Sequence, residues 1–318
     1  MDARHLPVLV RETLQYLAPE RGGWFVDATL GLGGHAEALL EAAPQARLLG
    51  LDRDAQALQR AGERLAPFGD RVRLELSTFD RLEDVLSSLA ASPDGPGLPR
   101  VAGILADLGV SSLQLDLPER GFSFRFDGPL DMRMGLTDMT AADVVNDFSE
   151  EDLERIFREY GEERQARRIA RAIGRARADQ PFETTSQLKS VIDRAKGGQS
   201  GWAGREGRID PATRVFQALR IAVNEELAGL ESFLDQAVEA LDADGRLVVI
   251  SYHSLEDRIV KTTFRDLAQG DVDPVTGRPR AESQLIEVLT RKPVRPAEEE
   301  VAFNPRSRSA KLRAARRL

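Results

Sequence analysis

The segment Asp27-Ala28-Thr29-Leu30-Gly31-Leu32-Gly33-Gly34-His35 follows a short apolar run and precedes a pattern of helical spacing. Gly31, Gly33 and Gly34 let the backbone turn sharply there and approach a ligand closely, although an ordinary strand-to-helix turn would use the same residues. Asp52 closes a second apolar run about twenty residues further on, where a carboxylate can accept both ribose hydroxyls of an adenosine or cap a helix. Asp27 separates the adenosine ligands. An acid at that position repels a pyrophosphate and suits the cationic amino group of a methionine, which moves the balance from a dinucleotide towards S-adenosylmethionine. Phe79, just past a third apolar run, is placed to lie on an adenine ring or to fill the core.

Asp107 ends a fourth run, followed by Leu108-Gly109-Val110-Ser111-Ser112. Methyl transfer from a sulfonium needs chiefly an aligned acceptor nitrogen and the exclusion of water. A carboxylate that hydrogen-bonds an amino proton returns electron density to that nitrogen and can later take the proton, and Asp is a natural partner of the cytosine amino group. Asp107 is the best placed acid for this work; its simpler role is to cap the loop or hold the cofactor. His253 follows a fifth run at the same expected edge and could move a proton or bind a nucleic acid, since no capping role requires an imidazole. Ser254 with Asp257 resembles a capping box.

These residues need a sheet to hold them. Trp24 to Val26, Leu48 to Leu51, Val72 to Leu76 and Val101 to Ala106 alternate with helical patterns, which predicts an α/β fold with a parallel, Rossmann-like sheet, and Leu247 to Ile250 supplies a fifth strand after a long interval. Helical patterns near 150–177 and 184–196 occupy that interval. The expected division is a discontinuous catalytic domain, 1–111 and 211–318, and an inserted helical domain for substrate recognition, 112–210. One long amphipathic helix is expected from Asp210 and Pro211 through Phe216, Leu219, Val223, Leu227, Leu230, Leu234 and Val238 to Leu241. Lys196 to Gly207, rich in glycine and polar residues, reads as a loop before it. Ser254 to Leu267 reads as a helix, Leu285 to Thr290 as a strand, and the alternation around Leu312 permits a last edge strand.

Composition narrows the chemistry. The 318 residues hold no cysteine and three histidines, so disulfides, a thiolate nucleophile and zinc-thiolate sites are excluded, and no metal site is expected. No apolar run of about 18 residues predicts a membrane span, and a cytoplasmic protein is expected. The net charge is −8, yet Arg164, Arg167, Arg168, Arg171, Arg175 and Arg177 occur together, as do Arg306, Arg308, Lys311, Arg313, Arg316 and Arg317. Both clusters could bind RNA phosphates; the first could equally be a solvated helix face and the second the guard of an edge strand. Phe122, Phe124 and Phe126 could stack on an extruded base or pack the insertion. Asp131 and Arg133 could pair with each other, and His5 is expected to dock the N-terminal arm.

The strings Asp27 to His35, Asp107 to Ser112 with Gln114-Leu115, Gly121-Phe122-Ser123-Phe124, Asp127 to Met134, Ser251 to Arg258 and Asn304 to Arg313 together resemble the small-subunit ribosomal RNA methyltransferase H family, also called MraW, over nearly the whole chain. The resemblance implies a class I methyltransferase fold and S-adenosylmethionine contacts from Gly33, Gly34, His35, Asp52, Phe79, Asp107 and Gln114. It also implies N(4)-methylcytidine in the decoding region of 16S rRNA as product, within the small subunit or a late precursor. Amino methyltransferases of DNA usually carry a Pro-Pro-aromatic tetrapeptide where Leu108-Gly109-Val110 stands here. From the residues alone, another amino methyltransferase acting on DNA or protein glutamine, a nicotinamide oxidoreductase, and a non-catalytic ribosome-assembly factor remain open.

Overall fold

Burial on both faces of the sheet explains why its central strands, those ending at Asp27, Asp52 and Asp107 and the second half of the one ending at Ser251, read as nearly unbroken apolar runs, whereas the edge strand Val72–Leu76 alternates apolar and charged residues. The computed structural model describes residues 7–91, 101–135, 137–197, 210–271 and 281–318; His5 and the 198–207 part of the loop before residue 210 lie outside the described residues. In chain order the first elements are α1 (Val10–Leu17), β1 (Gly23–Asp27), α2 (Gly34–Ala42), β2 (Ala46–Asp52), α3 (Ala55–Leu65), β3 (Val72–Leu76), α4 (Leu82–Ala91) and β4 (Val101–Asp107). A helical stretch follows: α5 (Ser112–Asp116), α6 (Ala141–Asp147), α7 (Glu150–Glu159), α8 (Ala166–Asp179), α9 (Thr185–Ala195) and α10 (Thr213–Asn224). The chain closes with α11 (Leu230–Ala240), β5 (Leu241–Ser251), α12 (Ser254–Gln269), β6 (Ile286–Val288), α13 (Glu298–Phe303) and β7 (Lys311–Arg317). These elements form two compact units, one of Met1–Gly109 with Leu227–Leu318 and one of Val110–Glu226.

The first unit is α/β, with its seven strands in the order β3-β2-β1-β4-β5-β7-β6. The first five strands are parallel, and β7 runs antiparallel to both β5 and β6. The C-terminal strand is therefore interior and β6 takes the edge, which corrects the expectation of a last edge strand: Leu312 and Ala314 face one side of the sheet and Ala315 the other, all buried. Phe25, Leu48, Leu105 and Val248 pack with Leu17, Leu39 and Leu65 on one face. Their sequence neighbours Val26, Leu49, Ile104 and Val249 pack with Leu86, Phe233 and Phe264 on the other. Each such side chain contributes about 1.5–3 kcal/mol by leaving water. The chain winds outward from β1 in one direction and from β4 in the other, so the pair marks the switch point where open sheets leave a crevice at their carboxyl ends.

The second unit is helical. Thr140 with Asp143 and Thr184 with Gln187 form capping boxes on α6 and α9, and Ser149 caps α7. Val145, Phe157, Ile169, Ile173, Leu188 and Phe216 lie in its core. The pattern near 150–177 resolves into two helices, α7 and α8. The long helix expected from Asp210 to Leu241 is likewise two: α10 ends where Glu225 turns left-handed at φ 49, and α11 starts at Leu230. Asn224 fixes the break, its carboxamide donating to Met132 O and accepting from Met134 N, each at 2.8 Å. Asp210 accepts from Ala212 N at 2.8 Å, but α10 begins only at Thr213 and belongs to the helical unit. Among the described residues no helix is long and apolar enough to cross a membrane.

Candidate active site

Three carboxylates stand at the carboxyl ends of β1, β2 and β4, at or beside the switch point, because each apolar strand ends on an aspartate: Asp27, Asp52 and Asp107. Asp27 is 3% exposed, and its Oδ1 accepts from Thr29 N at 3.2 Å. Burial pushes its carboxyl up to about 7; His35 and the Thr29 amide oppose the rise, and the nearby Asp107 and Asp52 add to it. No Lys or Arg pairs with it among the described residues.

Asp52 closes the loop from the neighbouring strand. Its Oδ2 accepts from Gly31 N at 2.7 Å and its Oδ1 from Asp54 N at 2.8 Å. Burial raises its carboxyl above the usual range while these two amides pull it down. The helix-capping alternative belongs to Asp54 instead, which accepts from Gln56 N at the start of α3. A carboxylate oxygen has two acceptor directions, so Asp52 keeps capacity for further donors. Gly33 takes φ 74 as the residue before α2, a left-handed conformation that other L-residues resist.

His35 comes next, buried in the first turn of α2. Its Nε2 lies 3.5 Å from Asp107 Oδ2, and neither ring nitrogen has a hydrogen-bond partner among the described residues. Asp107 N donates to Thr29 Oγ1 at 2.6 Å, which ties the β4 end to the glycine loop. Asp107 Oδ1 accepts from the Tyr252 hydroxyl at 2.9 Å. Neither Thr29 nor Tyr252 is singled out by residue type or spacing in the sequence. Tyr252 stands directly beyond β5, one residue before His253, so the same strand-end position that drew attention to His253 also marked its neighbour.

His253 is the N-cap of α12. Its Nδ1 accepts from Glu256 N at 3.4 Å, Glu256 Oε2 accepts from His253 N at 3.2 Å, and Nε2 lies 3.1 Å from Glu256 Oε1. This corrects two expectations: an imidazole does cap here, and Ser254 with Asp257 is not the capping box. Asp257 instead accepts from Lys311 and Arg313. His253 is 8% exposed in its side chain, with Nδ1 engaged at the cap of its own helix and Nε2 beside the Glu256 carboxylate.

Other expected residues are scattered. Phe79 is half-buried and packs tilted on Phe233, ring centroids 5.2 Å apart. Gln114, in the helical unit, is buried and accepts from Ser111 N at 2.9 Å. Phe122 is buried in the helical core and offers no ring to a base, contrary to the stacking expectation. Phe124 meets Phe216 edge-on at 4.9 Å with the Lys189 ammonium 5.5 Å above its ring, and Phe126 is 67% exposed. Arg133 pairs with Asp131 through hydrogen bonds of 2.9 and 2.7 Å. Arg164 precedes α8 rather than lying on it, while Arg168, Arg171 and Arg175 are exposed along the helix. Arg306 and Arg308 are exposed in the turn before β7, whereas Lys311 is tied to Asp257 at 3.0 Å and is no open phosphate contact.

The donor set fits a ligand that is both cationic and hydroxylated. A buried acid near neutrality at Asp27 is relieved by a positive group, and Asp52 accepts hydroxyl donors.

The family model described as the MraW methylase family matches residues 2–318. The ribosomal RNA small subunit methyltransferase H of Geotalea daltonii is 53% identical, over 100% of this chain and 99% of that protein. That of Geobacter sulfurreducens is 52% identical over the full length of both. A crystallised rRNA methylase from Streptococcus thermophilus superposes with a TM-score of 0.42 at 10% identity, over 99% of each chain.

Proposed function

The chain belongs to the MraW methylase family, and from that membership we propose that it is an S-adenosylmethionine-dependent methyltransferase of small-subunit ribosomal RNA, acting on the exocyclic amino group of a cytidine in the 16S decoding region to give N(4)-methylcytidine. The observation that carries the chemistry is the convergence of Asp27 and Asp107 at the β1/β4 switch point, bridged by Thr29. The 16S target rests on the names of the full-length relatives. The small subunit or a late precursor, met in the cytoplasm, is the proposed partner.

Bound S-adenosylmethionine supplies an electrophilic methyl group on a cationic sulfur. In this reading Asp27 receives the ammonium of the methionine portion and ionises as it does so, Asp52 accepts the ribose hydroxyls, and Gly33 and Gly34 let the backbone approach. Asp107 accepts a hydrogen bond from one amino proton of the base, which frees the nitrogen lone pair, and takes that proton at Oδ2 as the nitrogen acquires its fourth bond. The helical unit is the proposed RNA-recognition element, with the α8 arginines on phosphates.

The test is transfer of labelled methyl groups to free 16S rRNA, unassembled subunits and mature subunits, followed by nucleoside analysis. Label in N(4)-methylcytidine is the expected result. Label in another nucleoside overturns the cytidine reading, and cofactor binding without transfer to any of the three substrates leaves an assembly factor.

A further inference from the structure

Asp107 is held from one side only. The Tyr252 hydroxyl donates to Oδ1 at 2.9 Å, whereas Oδ2 has His35 Nε2 at 3.5 Å and the side chain is 23% exposed. The phenol arrives from the neighbouring strand, since Asp107 pairs in register with Ile250 of β5 and Tyr252 follows two residues later. Its own placement is braced. Tyr252 N donates to Glu256 Oε2 at 2.8 Å, and Glu256 is 2% exposed at the start of α12. The ring lies along Gly109, where φ is 101 and an added Cβ would stand 3.4 Å from Tyr252 Cδ2.

Left alone, a carboxylate rotates broadly about its last torsion, so its lone pairs point at a substrate proton only part of the time. We infer that Tyr252 is the positioning residue of the methyl-acceptor site: by holding Oδ1 it fixes the rotation of the Asp107 carboxylate and keeps Oδ2 directed to the amino proton of the base. The inference rests on Asp107 being the proton acceptor. Burial first, and then Asp107 itself, push the Tyr252 phenol well above its ordinary value, so it remains a donor wherever Asp107 is ionised. The residue makes no step of its own; it converts a mobile acid into an oriented one, and alignment of reacting atoms is the part of methyl transfer that a protein controls.

Tyr252→Phe keeps the ring against Gly109 and removes only the O–H. Single-turnover methylation at saturating S-adenosylmethionine and RNA should slow about 10- to 100-fold, the effect of one hydrogen bond to a charged group. The dissociation constant for S-adenosylmethionine should change less than about twofold, which separates orientation from binding. In an Asp107→Ala background the same substitution should slow the reaction by less than about twofold, because no carboxylate is left to orient. Equal slowing in both backgrounds would assign Tyr252 a structural role and overturn the inference. So would a wild-type rate for Tyr252→Phe beside a crippled Asp107→Ala. Wild-type turnover in Asp107→Ala itself sinks the premise, and that outcome is visible before Tyr252 is touched.

Discussion

Asp27 and Asp257 are aspartates of the same unit, both drawn into the protein, and they are treated in opposite ways. Asp257 receives Arg313 Nε at 2.7 Å and Lys311 Nζ at 3.0 Å. Burial works against its charge, but the two cations outweigh burial and hold its carboxyl below the usual range. Asp27 has the His35 imidazole, one backbone amide and two neighbouring carboxylates around it, and burial still lifts its carboxyl to about 7. Where an acid fastens α12 to β7 the chain provides two cations; at the end of β1 no Lys or Arg among the described residues does so. A buried acid that the fold leaves uncompensated carries a standing penalty, and in a crevice at a sheet's switch point a ligand is the natural source of the missing charge.

The largest effect expected on this contrast is at Asp107, beside Asp27. Asp107→Asn keeps size and an acceptor oxygen but cannot readily take a proton, so the single-turnover rate at saturation should fall about a hundred- to a thousandfold, or roughly 3–4 kcal/mol in the barrier. Near-normal turnover at saturation would make Asp107 a binding residue. Asp257→Asn should act on the other quantity. It strands Lys311 and Arg313, which are 19% and 8% exposed in their side chains, and with partial screening should lower unfolding free energy by about 2–3 kcal/mol in urea titrations. Cofactor affinity in the folded variant should not move; if it does, the two aspartates are not the separate cases described.

The third effect is a matter of sign. Asp27 binds its proton more tightly folded than unfolded, so its contribution to stability is present below the ordinary value of 3.8 and is lost as pH rises through about 7. Between pH 5 and 7 the ligand-free protein should lose about 2 kcal/mol from this group, and Asp27→Asn should abolish that loss. Asp257 runs the other way, its stabilisation disappearing as pH falls. Binding of a cation favours ionised Asp27, so S-adenosylmethionine affinity should climb with pH up to about 7, with a proton released below it. Calorimetry in buffers of different ionisation enthalpy reads that proton. Its absence in the wild type, or its persistence in Asp27→Asn, would detach Asp27 from the cationic ligand.

What the sequence discloses depends on distance along the chain. The strands and the aspartates that end them are local signals, apolar runs stopped by an acid, and they are legible from residues 24 to 107. The break at Glu225 is not, because Leu227 and Leu230 continue the amphipathic spacing and the interruption is imposed by Asn224 reaching Met132 and Met134 some ninety residues away. Pairing of Tyr252 with Asp107 spans 145 residues and leaves no periodic trace. His253 misled for a different reason: Nδ1 of an imidazole accepts a hydrogen bond as a hydroxyl does, and the Glu three positions on completes the box. Phe122 and Phe126 carry the same side chain in one alternating run, yet one is core and the other 67% exposed, a difference set by partners in α6 to α10 that spacing cannot reveal.

The same contrast between supplied and withheld counter-ions recurs among the arginines, where the expected effect is smallest. At the C-terminus Lys311, Arg313 and Arg316 are spoken for by Asp257, Asp244 and Glu287. On α8, Arg168, Arg171 and Arg175 recur at helical spacing, are exposed, and take part in no ion pair among the described residues. A phosphate bound by such a side chain releases condensed counter-ions, so removing the arginine is read in the salt dependence rather than in stability. Replacing the three α8 arginines by Gln should flatten the logarithmic salt slope of RNA binding by about 0.7 to 0.9 for each phosphate no longer neutralised, leaving melting temperature and S-adenosylmethionine affinity as they were. Arg313→Gln should do the reverse, lowering the melting temperature with the slope of the folded fraction unchanged. An unaltered slope in the α8 variant would return that helix to a solvated face, and a flattened slope in Arg313→Gln would show that pairing with Asp257 does not remove an arginine from the RNA surface.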